Sequence, residues 1–337
     1  MSLSPPRPAH RFDEKSLTDY LSERLDDFSP PVVVRQFDAG QSNPTFSLET
    51  HKHRYVLRKK PPGTLLPKAH MVEREYRVMK ALADTEVPVP RVLLLCEDPA
   101  VVGTPFFIME HLEGRVLWDA RLPGLPVAER GGVHREMIRV LAALHRLDYE
   151  ALGLSDYGKP GNYFERQLSR WTRQYRAAET ETIETMEQLI EWLPANIPGD
   201  DTTCLVHGDY RLDNLIFHAR EPRVLGVVDW ELSTLGHPLA DLAYTCQVYH
   251  VSTHHPPIRS GAGIPTEQEA IAQYREWTGR GEIEDWPFYL AFSMFRLAGI
   301  VQGVYKRGLD GNASSTRALE MGKFVRVLGD TAWDLVH

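Results

Sequence analysis

The chain has 337 residues, 42% of them hydrophobic and 25% charged, with a formal net charge of −8. This is the composition of a globular protein with room for more than one core, and its acidic balance argues against nucleic acid as the main partner. Three widely spaced cysteines, Cys96, Cys204 and Cys246, form no metal or disulfide pattern, and neither a signal-peptide core nor an uninterrupted membrane-length apolar run is evident. The expectation is a cytoplasmic protein with no membrane partner.

Residues 1–12 are proline-rich and expected to be loose, and Leu17, Tyr20, Leu21 and Leu25 then recur at helical spacing. Val32–Val34, Thr45–Leu48 and Arg54–Arg58 read as strands, the last two joined by the polar turn His51-Lys52-His53. A helix is expected from about His70 to Ala83, with Val72, Tyr76, Met79 and Ala83 as its apolar stripe, stopped by Pro88 and Pro90. Arg91–Cys96 and Pro105–Met109 read as two more strands. Beyond Glu110 the pattern turns helical: Val133, Met137, Val140 and Leu144 share one face, and Phe164, Leu168, Trp171 and Tyr175 share another. Short strands at Leu215–Phe217 and Val224–Val228 interrupt the helices, which return after Pro238, with loops near Pro256-Pro257 and Gly308–Gly311. A strand-rich beginning followed by a helix-rich remainder predicts an α+β protein of two lobes. The expected divisions are an extension with a helix over 1–30, a small lobe with an antiparallel sheet and one helix over 31–110, and a larger, mostly helical lobe over 111–337.

The most informative stretch is L-V-H-G-D-Y-R-L-D-N, ending at Asn214, followed by V-V-D-W-E, ending at Glu231. Asp209 follows a tight His-Gly turn, Asn214 lies five residues on, and Asp229 ends an apolar run. This order and spacing match the H-R-D-x-x-x-x-N and D-F-G elements of protein kinases, with Gly208 in the arginine position. The chemistry asks for these residue types: one carboxylate orients a hydroxyl and accepts its proton, while an amide oxygen and a second carboxylate offer hard donors to magnesium. Asp213 reads as a solvated acid, and Asp241 as a structural residue at a helix start that braces the His207-Gly208 turn. Y-V-L-R puts Arg58 where kinases carry a phosphate-binding lysine, with Lys59 as the rival if the register slips by one. Glu75 lies on the apolar helix face and needs a cationic partner, whereas Glu73 reads as solvated. Gly40, Ser42, Asn43 and Thr45 bridge two strands and offer backbone and side-chain donors to phosphate. The segment Ile108-Met109-Glu110-His111-Leu112 offers backbone groups at Glu110 and Leu112 to adenine.

Other features carry less. His250, His254 and His255 lack an acidic companion for zinc. No G-x-S-x-G surrounds Ser233. Arg166, Arg170 and Arg173 share a helix face that reads either as solvated or, with Lys306 and Arg307, as a handle for an anionic substrate.

On these residues the chain resembles the aminoglycoside phosphotransferase family, kinase-like proteins, and more narrowly the branch found as the N-terminal domain of acyl-CoA dehydrogenase fusion proteins. The carrying motifs are L-V-H-G-D-Y-R-L-D-N-L-I-F-H and V-V-D-W-E-L-S-T-L-G-H-P-L-A-D-L-A-Y, with G-Q-S-N-P-T-F, Y-V-L-R-K-K-P-P-G and L-A-A-L-H-R-L-D in support. The resemblance implies a bilobal protein-kinase-like fold, ATP and Mg2+ as cofactors, Asp209 as catalytic base, Asn214 and Asp229 as metal ligands and Arg58 as phosphate clamp. Arginine at position 58 departs from protein kinases, and His237 stands where the family often has aspartate. The implied activity is transfer of a phosphoryl group to the hydroxyl of a small molecule. The branch points to a hydroxyacyl-CoA or related hydroxy acid and to a functional link with an acyl-CoA dehydrogenase. An aminoglycoside-modifying kinase is an alternative, weakened by only eleven acids against nine bases between Asp241 and His337. A non-catalytic nucleotide-binding module is the other.

Overall fold

A computed structural model describes residues 2–38, 43–63, 70–252, 256–258, 261–311 and 318–337. Its strands are β1 (Leu3–Ser4), β2 (Val33–Phe37), β3 (Thr45–Glu49), β4 (Arg54–Lys59), β5 (Val92–Cys96), β6 (Phe106–Glu110), β7 (Arg115–Val116), β8 (Cys204–Val206), β9 (Leu215–Phe217), β10 (Val224–Val227) and β11 (Thr234–Gly236). Its first helices are α1 (Glu14–Ser22), α2 (Val72–Leu82), α3 (Pro99–Val102), α4 (Val127–His145) and α5 (Tyr163–Ala178). They are followed by α6 (Glu184–Ala195), α7 (Pro238–Cys246), α8 (Glu267–Thr278), α9 (Trp286–Leu309) and α10 (Gly322–Asp334). The α+β expectation is met. The chain divides into two compact units, residues 1–116 with 214–232, and residues 117–213 with 233–337. The expected large lobe ran unbroken over 111–337; 214–232 instead joins the first unit, because β9 pairs with both β7 and β10.

In the first unit a six-stranded antiparallel sheet has the order β1-β2-β3-β4-β6-β5. The N-terminal residues read as loose supply β1, whose Leu3 and Ser4 pair with Phe37 and Gln36. One sheet face is filled by Leu48, Tyr55, Leu57, Phe106 and Ile108 under Leu17 and Leu21 of α1 and Val101 and Val102 of α3. Helix α2 lies against β5 and β6. Its buried residues are Val72, Glu75, Val78, Met79 and Leu82, so the stripe is rotated from the expected one: Tyr76 is only half-buried and Ala83 is exposed.

Strand alternation decides between Arg58 and Lys59. Lys59 shares the face of Tyr55 and Leu57, is 3% exposed, donates to Val102 O at 2.6 Å and sits 5.1 Å from the Phe12 ring centre. Arg58 faces the other way, toward Glu75.

In the second unit, β8 pairs with β11, and α9 packs against α5, α7 and α10. Val133, Met137, Val140 and Leu144 of α4 are buried together, as are Phe164, Leu168, Trp171 and Tyr175 of α5. Helix α9 runs through the expected break at Gly308. By length and composition it could cross a membrane, but Arg296 interrupts its apolar run and it is mostly buried inside this unit, as a core helix is.

Burial pushes the Lys59 ammonium down from its usual value near 10.5 to about 8. The unfolded chain therefore holds this proton more tightly, and folding stability should rise with pH between about 8 and 10.5. Chemical unfolding of wild type and Lys59→Met across that range tests this: the wild type should gain on the variant as pH rises, and a pH-independent difference would contradict the assignment.

Candidate active site

In the first unit, Arg58 is the hub. Its Nε meets Glu75 Oε2 at 2.9 Å, Nη2 pairs with Asp229 Oδ1, and Nη1 donates to Thr45 Oγ1 at 3.3 Å. Thr45 is the direct cross-strand neighbour of Arg58. Glu75 is 1% exposed, so its charge survives only through these partners. Burial alone would lower the guanidinium pKa, but Glu75 and Asp229 outweigh it and raise it, so Arg58 stays charged. Burial pushes Glu75 up against the pull of Arg58.

Asn43 is fully buried. Its amide donates to Glu75 Oε1 at 2.9 Å and to Glu231 Oε2 at 3.4 Å, and its Oδ1 lies 3.1 Å from His70 Nδ1. Asn43 thus braces Glu75, and its side chain is not the free phosphate donor the sequence suggested. The Thr45 hydroxyl donates to Asn43 O at 3.0 Å and so serves the same brace. Gly40 and Ser42 lie outside the described residues.

Asn214 and Asp229 sit at neighbouring strand ends. Leu215 pairs with Val227, and Val228 N donates to Asn214 O at 3.0 Å, so the two residues leave adjacent rungs of one ladder. Asp229 has φ +67°, a left-handed conformation that is uncommon outside glycine but that Asp tolerates better than most. The buried Trp230 fixes this turn by donating to Val227 O at 3.0 Å. An amide and a carboxylate are the hard oxygen donors magnesium prefers, and this pair fits the ion.

Glu110 and Leu112 need qualification. Glu110 N donates to Arg91 O at 2.9 Å, so the backbone group left to Glu110 is its carbonyl. Leu112 packs over Gly226, where an added Cβ would lie 2.4 Å from Leu112 Cδ1.

In the second unit, strand β8 leads into His207-Gly208-Asp209. Gly208 has φ +81°, which glycine adopts without a Cβ penalty. The two preceding N–H groups point at one acid, as expected: His207 N donates to Asp241 Oδ2 at 2.6 Å and Gly208 N to Asp241 Oδ1 at 2.9 Å. Burial works to raise the Asp241 pKa, but His145 and the His207 turn outweigh it and hold it below its usual value. His237 caps α7 by accepting from Leu239 N at 3.3 Å.

Asp209 Oδ1 accepts from Tyr244 Oη at 2.6 Å and lies 3.4 Å from Arg211 Nε. Burial first, and then the Asp209 charge, raises the Tyr244 phenol, so it remains a neutral donor. Arg211 also pairs with Asp213 at 3.0 Å; Asp213 is thus ion-paired rather than a solvated acid. Arg296 donates to Gly208 O from α9. Sequence reading did not single out Tyr244, Arg211, Arg296 or Glu231. Tyr244 was within reach: three residues after Asp241, it shares a helix face with it.

Ser233 is buried against Tyr157 Oη at 2.7 Å. His250 pairs with Glu267 at 2.9 Å, so it has an acidic companion after all, while His254 and His255 lie outside the described residues. Among the described residues, no group of three or more His, Cys, Asp or Glu is placed to hold a metal.

A chain that buries a buttressed carboxylate–guanidinium hub and presents a carboxylate after a braced His-Gly turn is built like the kinase-like phosphotransferases. Residues 33–287 match the phosphotransferase enzyme family known as APH, and the chain belongs to that family. The family is one of phosphotransferase enzymes. The chain is similar to acyl-CoA dehydrogenase family member 10 from Mus musculus, with 48% identity over 98% of the chain but 32% of that relative. The chain therefore spans about a third of this curated relative's length. It is also similar to the crystal structure of a candidate aminoglycoside phosphotransferase from Ralstonia eutropha jmp134, with 51% identity, a TM-score of 0.88, and 96% and 98% of the two chains covered. A mutant aminoglycoside phosphotransferase APH(4)-Ia, solved with ADP and hygromycin B, shares the kinase-like fold at 16% identity, with a TM-score of 0.63 over 95% of this chain and 98% of that one.

Tyr244→Phe should lower kcat about tenfold with little change in the nucleotide KM, the worth of one hydrogen bond to a charged acceptor. Steady-state kinetics reads this directly, and an unchanged kcat would remove Tyr244 from the site.

Proposed function

We propose that the chain is an ATP- and Mg2+-dependent small-molecule kinase that transfers the γ-phosphoryl group to a substrate hydroxyl. The observation that carries this reading is the pairing of Arg58 with both Glu75 and Asp229, in the unit where Asn214 sits on the adjacent strand end. Asn214 and Asp229 would hold the metal, which when bound offsets phosphate charge. Arg58 adds a planar cation able to bind phosphate oxygens in pairs, and Glu75 and Asn43 keep it aimed. Asp209, oriented by Tyr244 and Arg211, holds the substrate hydroxyl and takes its proton as the new O–P bond forms and ADP leaves. Most of the rate comes from alignment and electrostatics.

The substrate reading is a hydroxyacyl-CoA or related hydroxy acid. Its support is the similarity to an acyl-CoA dehydrogenase family member and the absence of an acidic concentration that would draw in a polycationic antibiotic. A dehydrogenase acting on the same metabolite is the corresponding partner. The three free, buried cysteines suit a reducing compartment such as the cytoplasm.

The test is mass spectrometry of products from hydroxyacyl-CoAs, aminoglycosides and amino alcohols incubated with Mg-ATP. The expected result is a phosphorylated hydroxyacyl product, reduced about 10²- to 10⁴-fold in Asp209→Ala. Phosphorylated aminoglycoside alone would move the substrate to antibiotics. No turnover with any compound would leave a nucleotide-binding module, and equal turnover by wild type and variant would remove Asp209 as the base.

A further inference from the structure

Arg296 is 6% exposed, on a helix that carries no acid anywhere from Trp286 to Leu309. It donates to Gly208 O, next to Asp209. Its guanidinium carbon lies 5.7 Å from the Trp171 ring centre and 5.4 Å from that of Tyr244. Arg170 stands 5.1 Å from the same Trp171 ring, on the packed helix α5, which has no acid between Arg166 and Gln174. Among the described residues, neither arginine has a carboxylate partner. Arg296 is buried, and a buried cation without one is costly; Arg170 is exposed, and two cations sharing one indole repel each other. Burial and the Arg296 charge both act to lower the Arg170 pKa, and Tyr163, at the start of α5, feels both arginines.

Two other basic residues of the suggested handle are already engaged. Arg166 donates to Lys159 O at 2.5 Å, and Lys306 pairs with Asp310 at 2.5 Å. Of the helix-face handle suggested by sequence, Arg170 is the member placed at the Trp171 ring, joined there by an arginine that sequence reading passed over.

We propose that Arg170 and Arg296 form an anion subsite beside Asp209, which binds a carboxylate or phosphate group of the hydroxyl-bearing substrate. This rests on reading Asp209 as the group that orients the hydroxyl. The planar guanidinium suits either oxyanion. Linked to Asp209 through Gly208 and Tyr244, the subsite selects an anionic acceptor and disfavours a polycation.

The test compares KM values for two substrate pairs in wild type, Arg170→Gln and Arg296→Lys. Hydroxybutyrate against its neutral amide reads a carboxylate. Hydroxybutyryl-CoA against hydroxybutyryl-pantetheine, which lacks the nucleotide phosphates, reads a phosphate. Arg170→Gln should raise KM about tenfold for the anionic member of one pair, the worth of one charge-assisted hydrogen bond, and leave the neutral member unchanged. Arg296→Lys, which keeps the charge, should act in the same direction more weakly. Equal changes in both members of each pair, or none, would overturn the subsite. If wild type phosphorylates none of the four, phosphoryl transfer to such acceptors fails as a reading, and calorimetric binding of hydroxybutyryl-CoA then decides. Weaker binding to Arg170→Gln than to wild type keeps the subsite, and unchanged binding removes it.

Discussion

Arg58 is held between two carboxylates, Glu75 and Asp229, and the arrangement of the first unit follows from satisfying that charge away from water. Removing one member of a buried ion pair costs about 3–5 kcal/mol, because the other charge is stranded. Glu75 cannot leave α2 without exposing the hub, so the helix face that packs on the sheet is chosen by this acid as much as by its apolar neighbours. Asn43, fully buried, completes the shell by donating to Glu75.

The second unit solves the parallel problem with Asp241. Two backbone N–H groups point at one carboxylate, which fixes the turn that delivers Asp209. In both units a buried acid sets the posture of a residue proposed to act on nucleotide or substrate. Groups aimed in advance need no reorganisation at the moment of reaction, which is how phosphoryl transfer is accelerated with little covalent chemistry.

Arginine at position 58, in place of a lysine, follows the same logic. A guanidinium can serve Glu75, Thr45 and Asp229 through three different nitrogens at once, where an ammonium offers a single point charge. On the opposite face, Lys59 is held by a single backbone carbonyl and an aromatic ring. Two adjacent basic residues thus meet opposite environments, because side chains alternate along a strand.

Much of the plan was legible in the chain itself. Hydrophobic periodicity located β3, β4, α4 and α5, because a repeat of two or of 3.6 residues is imposed locally. The spacing of Asp209, Asn214 and Asp229 is likewise a local property of a turn, a short strand pair and a second turn, and Asp241 could be assigned to the His207-Gly208 turn from its place at a helix start. Tertiary structure decided what depends on partners distant in sequence. It turned the α2 stripe so that Glu75 is buried, drew residues 3–4 into the sheet through pairing with β2, and spent Asn43 on Glu75. It also brought Tyr244 to Asp209 and set Arg296 beneath Gly208, contacts spanning 35 and 88 positions. No periodicity encodes such contacts, since they exist only once separate helices have packed.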